Sequence, residues 1–135
     1  MSRITDFVAV GFGAEKAKVL SEEKTTSAAT RTVNTGLTAA GTTITDALAL
    51  TKFINIVSTA ALNTGAKLPS VWPVGQWGLV QNNGVNPINL FPPSASLTIN
   101  GGSAGAAVTI AAAAGNLIIR HSTTDFGAYV LAKEA

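Results

Sequence analysis

The chain contains no cysteine, which excludes a disulfide scaffold and any thiol chemistry. It has a single histidine, too few imidazoles for a zinc site of the usual kind. Charge is scarce as well. Asp, Glu, Lys and Arg make up 12% of residues, about half of the roughly 25% usual in soluble domains. All five prolines lie between Pro69 and Pro93, so that region reads as edges and loops rather than central strands. What is abundant is small and apolar: the hydrophobic share is 47% before the 13 glycines are counted. Such a composition opposes disorder, which needs charge and few apolar residues. At 135 residues the chain fits one domain with a real core. A surface this poor in charge must be made of Thr, Ser and Asn, or be covered by other chains.

The net charge of +2 comes from a small surplus on few groups. Lys16, Lys18 and Lys24 alternate with Glu15, Glu22 and Glu23, so their field largely cancels and no basic face for nucleic acid is expected. Arg3 is followed by Ile4-Thr5-Asp6, which leaves no apolar stretch of the length a secretory leader needs. Gly101 to Ile119 is uncharged and long enough to span a bilayer, but its four glycines, its Ser, Thr and Asn, and its many alanines argue against a membrane segment.

Charge also divides the chain. Eight of its 16 charged groups fall within residues 1–24, whereas residues 32–119 carry only Asp46, Lys52 and Lys67. Residues 1–34 are therefore expected to be an extended N-terminal arm and linker, and 35–135 a β-rich body. In the arm, Ile4 to Val10 reads as a strand and Ala14 to Lys24 as a helix with a Lys18–Glu22 pair. A helix that short is marginal alone, so Phe7, Phe12, Val19 and Leu20 are the side chains expected to seat the arm on another surface. Fully extended, 24 residues reach on the order of 80 Å. The Thr/Ala/Gly tract of residues 25–43 lacks the large side chains that nucleate a core and reads as a connector.

The body reads as short strands between turn signals. Phe53–Val57 is β-branched and apolar; Gly78–Gln81 and Ile88–Phe91 flank Asn82-Asn83-Gly84, which suits a hairpin. Leu97–Ile99 runs into Asn100-Gly101-Gly102, a second such hairpin turn; Ala107–Ile110 and Leu117–Arg120 flank Gly115-Asn116, a third; Ala128–Ala132 closes the chain. This spacing predicts an all-β fold, a small sandwich or barrel of jelly-roll-like or tulip-like form. Ala104 to Ala114 permits either a strand or a helix stopped by Gly115; Val108-Thr109-Ile110 favours the strand.

No catalytic set stands out. His121 is followed by Ser122, Thr123, Thr124 and Asp125, but Ser–His–Asp triads are assembled from distant loops, and a surface histidine in a polar turn is the simpler expectation. No calcium-loop spacing is found. Of the seven carboxylates only Asp46 and Asp125 lie in the body away from its C-terminal end, too few neighbours for paired glycosidase acids. Gly11-Phe12-Gly13-Ala14-Glu15-Lys16 lacks the spacing of a phosphate loop. No catalytic residue, cofactor or metal is therefore expected. Trp72 and Trp77, framing Pro73-Val74-Gly75-Gln76, read as anchors that plug the end of a β-barrel or make a subunit or partner contact, with stacking on a glycan as the other reading.

The series Thr35–Thr43, Asp46–Thr51, Asn55-Ile56-Val57, Gly65–Pro69, Gly78–Gly84, Ile88–Pro93 and Ile99-Asn100-Gly101 resembles a β-rich module of tailed-bacteriophage virion proteins, in particular small head decoration (cement) proteins. The likeness covers roughly residues 35–120. It implies a homotrimer on the outer surface of the capsid that clamps neighbouring major capsid protein subunits, without nucleic acid, membrane or cofactor. The same kind of module occurs in fibre proteins, so a trimeric fibre or tail module presenting Trp72, Trp77 and Tyr129 to a host glycan stays open beside it. A small hydrolase using His121 and Asp125 is the third reading.

Overall fold

The computed structural model describes residues 31–132. The chain divides into two units, Met1–Arg31 and Thr32–Ala135. Within the described residues there are ten strands and no helix: β1 (Val33–Thr38), β2 (Leu48–Ala49), β3 (Ile54–Thr59), β4 (Gly65–Lys67), β5 (Trp77–Asn82), β6 (Ile88–Phe91), β7 (Thr98–Ile99), β8 (Val108–Ile110), β9 (Ala114–Arg120) and β10 (Asp125–Leu131). They form a six-stranded sheet in the order β1-β3-β5-β9-β10-β7 and a four-stranded sheet in the order β2-β4-β6-β8.

The expected all-β class holds, but the architecture is a short β-solenoid rather than a sandwich or barrel. Successive strands alternate between the two sheets, and β1, β3 and β5 stack in parallel, as do β2, β4 and β6. Each pair β1–β2, β3–β4 and β5–β6 is thus one rung of a winding. β8 and β9 then run antiparallel to β6 and β5 and end the parallel stack. Neither sheet closes on itself, so no barrel forms. This winding also corrects three expected hairpins. Asn100-Gly101-Gly102 does turn, but β7 pairs in parallel with β10 and no hairpin joins it to β8. Asn82-Asn83-Gly84 turns a corner between sheets instead of pairing β5 with β6, and Gly115-Asn116 lies inside β9, not in a turn. The hairpin that does form joins β9 to β10 through residues 121–124.

The tract expected as a connector supplies the first rung. Small residues are needed there: the Asp46 carboxylate accepts bonds from the Thr42 and Thr43 amides and the Thr43 hydroxyl, and Gly41, at φ +74°, packs so close that a Cβ would overlap Asp46. These bonds hold the Asp46 carboxyl below its usual range, the Thr43 amide being the main cause. In the Ala104–Ala114 stretch only Val108–Ile110 and the terminal Ala114 are strand; Ala113 adopts φ 58° in the turn between β8 and β9.

Between the sheets lies a single core. Val57, Val80, Ile118 and Phe126 from the six-stranded sheet meet Leu50, Ala66, Leu68, Ile88, Leu90 and Ile110. Three asparagines share it. Asn82 is fully buried, its amide donating to the carbonyls of Asn86, Ile110 and Ala111 while its Oδ1 accepts the Gly84 N–H. That one side chain satisfies backbone groups at two corners of the winding. Asn55 donates to the Lys52 carbonyl, but its buried Oδ1 has no hydrogen-bond partner.

Candidate functional site

The outward face of the six-stranded sheet is the most unusual surface of the described residues. Strand pairing sets Val33 beside Ile54, Ile54 beside Leu79, Leu79 beside Leu117 and Leu117 beside Tyr129. That is one continuous row across five strands, about 19 Å wide at the usual strand spacing. On one side of it lies the row Trp77, Ile119 and Gly127; on the other lies Ile56, Gln81, Gly115 and Leu131. Val33, Trp77, Tyr129 and Leu131 are 51%, 43%, 46% and 42% exposed, and Ile54, Ile56, Leu79, Leu117 and Ile119 are half-buried. No Lys, Arg, Asp or Glu occupies any of these positions. Large apolar side chains in register on an outward face are the pattern of a surface that another surface covers.

Tyr129 is held in place at one edge of this face. His121 Nε2 lies 2.7 Å from the Tyr129 hydroxyl, and its Nδ1 lies 3.3 Å from Asp125 Oδ2. Asp125 Oδ1 accepts bonds from the Thr98 hydroxyl at 2.5 Å and the Gly101 amide at 3.0 Å. The Thr98 bond is the main reason its carboxyl sits below the usual range, with Gly101 and His121 adding to it. Gly127 leaves the room for this arrangement, since a Cβ there would overlap both the His121 and Tyr129 rings. The geometry therefore joins His121 and Asp125, as the hydrolase reading requires. It places a phenol, however, where that reading needs a serine. Ser122 Oγ is engaged elsewhere, accepting the amides of Thr124 and Asp125. Chemically, the arrangement orients an aromatic ring and ties β7 to the β9–β10 turn.

Arg120 is likewise committed to the fold. Its guanidinium donates to the carbonyls of Trp72, Ser122 and Thr123 and stacks 5.2 Å over Phe126. Of the two expectations for Trp72, plug or subunit contact, the described residues show an internal plug. It is 3% exposed, lies 6.2 Å from the Phe53 ring and fills the space that Gly78 leaves by having no side chain. Trp77 does reach the surface, on the apolar face. Phe7, Phe12, Val19 and Leu20, with the strand and helix expected around them, lie outside the described residues. Among the described residues no three His, Cys, Asp or Glu side chains are grouped to hold a metal ion, and no helix is long and apolar enough to cross a membrane.

The sequence reading missed the face itself. Its signal was present in Ile54-Asn55-Ile56-Val57 and Leu117-Ile118-Ile119, where apolar residues occupy both parities of a strand. Alternation with a polar outer face would have broken those runs. Comparison with protein-family models, curated proteins and solved structures returns no match.

Proposed function

We propose that the chain is a structural component of a tailed-bacteriophage particle, a homotrimer on the outer surface of the capsid that clamps neighbouring major capsid protein subunits. The observation that supports this most is the uncharged apolar face spanning Val33, Ile54, Leu79, Leu117 and Tyr129. Covering it removes aliphatic and aromatic surface from water at roughly 25 cal/mol per Å², with no ion to desolvate. Copies packed around a three-fold axis, one edge of this face against a different edge of the next copy's, close into a finite ring. The described body also spends its polar groups on holding shape: Asp46, Asp125, Arg120 and Asn82 all satisfy backbone or neighbouring groups. A part that must resist mechanical load on a particle is served by such a rigid winding, and repeated weak contacts across many copies add up.

The glycan-binding fibre or tail module remains the second reading, because Trp77 and Tyr129 share the apolar face. Trp72 no longer belongs to it. Copy number separates the two. Gel densitometry of purified particles carrying the chain is expected to give hundreds of copies. A handful per particle would support the fibre reading, and absence from particles would overturn both.

A further inference from the structure

We propose that a trough along one corner of the winding receives an extended acidic segment of the protein on which this chain sits, an inference that rests on the assembly role above. Three of the chain's exits from the four-stranded sheet lie together, after β2 at Leu50-Thr51, after β4 at Leu68–Val71 and after β6 at Pro92-Pro93. Those exits line one hollow of about 380 Å³, bounded by Thr51, Lys67, Pro69, Val71 and Pro93. A second hollow of about 290 Å³ opens between Ile44, Thr45 and Ala95 and shares Lys67 and Pro93 with the first. The two therefore meet across one lysine and one proline.

Three features point to the occupant. The walls are pre-formed, because the Leu50 amide bonds the Lys67 carbonyl and the Leu68 amide bonds the Phe91 carbonyl, stitching each exit to the next rung. Most of the lining is apolar, and Val71 at its rim is 83% exposed. Two hollows that meet at Lys67 and Pro93, the first mostly apolar and the second half polar, suit a few residues of extended chain at about 3.3 Å each better than one compact ligand. The charge is one-sided. Asp46, Asp125 and Arg120 are each engaged by neighbours, whereas among the described residues the Lys67 ammonium makes no hydrogen bond or ion pair and no carboxylate lines either hollow. A carboxylate laid across the waist of the trough would meet Lys67 in a charge-assisted contact while its flanking residues cover Pro69, Val71 and Pro93.

The test is an amide-shift titration of the full-length ¹⁵N-labelled protein with the peptide acetyl-Pro-Glu-Val-Glu-Pro-amide, its Gln counterpart, and a peptide of this chain's own residues 18–26. The expected result is saturable shifts at Thr51, Lys67, Val71 and Ala95, weakened about tenfold by replacing Glu with Gln or by Lys67→Met, as loss of one charged contact predicts. Equal binding of the Gln peptide, indifference to Lys67→Met, or shifts scattered over other faces would overturn the proposal. So would tighter binding of the residue 18–26 peptide, which would make the chain its own occupant. Light scattering on the same samples keeps the two ideas apart. A trimeric mass with no trough binding sinks the trough alone, and a monomeric mass sinks the assembly role and the occupant named here.

Discussion

Asn82 and Asn55 occupy similar buried places with opposite consequences. Asn82 serves three carbonyls and one amide, so Asn82→Ala strands several buried groups, each costing about 1–3 kcal/mol. Asn55 offers one bond and leaves its Oδ1 unpaired. Urea denaturation should therefore show Asn82→Ala losing at least about 2 kcal/mol and Asn55→Ala clearly less; equal losses would refute this view of the core. Gly78 is a second sensitive position. A Cβ there would overlap the Phe53 carbonyl and the Trp72 ring, so Gly78→Ala should cost about 1–3 kcal/mol and shift the Trp72 fluorescence. The Asp125 carboxyl gives a pH prediction. Its folded pKa lies below the usual 3.8, so the bonds from Thr98 and Gly101 stabilise the fold above the unfolded value and are lost as pH falls through the lower, folded one. Stability should decline below about pH 4, and Asp125→Asn should flatten that acid limb in denaturation midpoints read at successive pH values.

At the level of elements, most strands were legible and their partners were not. Ile54–Thr59, Ile88–Phe91 and Thr98-Ile99 fall where β-branched and apolar residues announce them. Pairing depends on which sheet a strand enters, and in a solenoid the neighbour lies one rung away, 21 residues from Val33 to Ile54 and 25 from Ile54 to Leu79. Asn82-Asn83-Gly84 carries a hairpin signature, yet the buried Asn82 side chain turns it into a corner by bonding β8's end. Asn100-Gly101 does form a turn, both residues with positive φ and the Gly102 amide closing on Ile99, but it joins no hairpin, because β7 pairs in parallel with β10. His121, Asp125 and Tyr129 came together because the β9–β10 hairpin sets Tyr129 beside Leu117. A surface histidine was foreseen, whereas its tyrosine partner depended on a pairing that spacing alone does not reveal.

For the whole molecule, the decisive property is an outward sheet face built like an interior. Low charge was visible from composition and already argued for companionship, but its location was not, because the main row is assembled from five strands spread along the sequence and its flanking rows from three and four. Leu117 sits inside the main row between Leu79 and Tyr129, points away from the core and is half-buried, so a charge there should disturb association rather than folding. The most direct measurement is light-scattering mass of the full-length protein and of Leu117→Lys at micromolar concentration, with circular dichroism to confirm an unchanged β signal. The wild-type chain should have three times its 13.7 kDa mass and the variant the mass of a single chain. A monomeric wild type, or a variant that still forms trimers, would contradict the account.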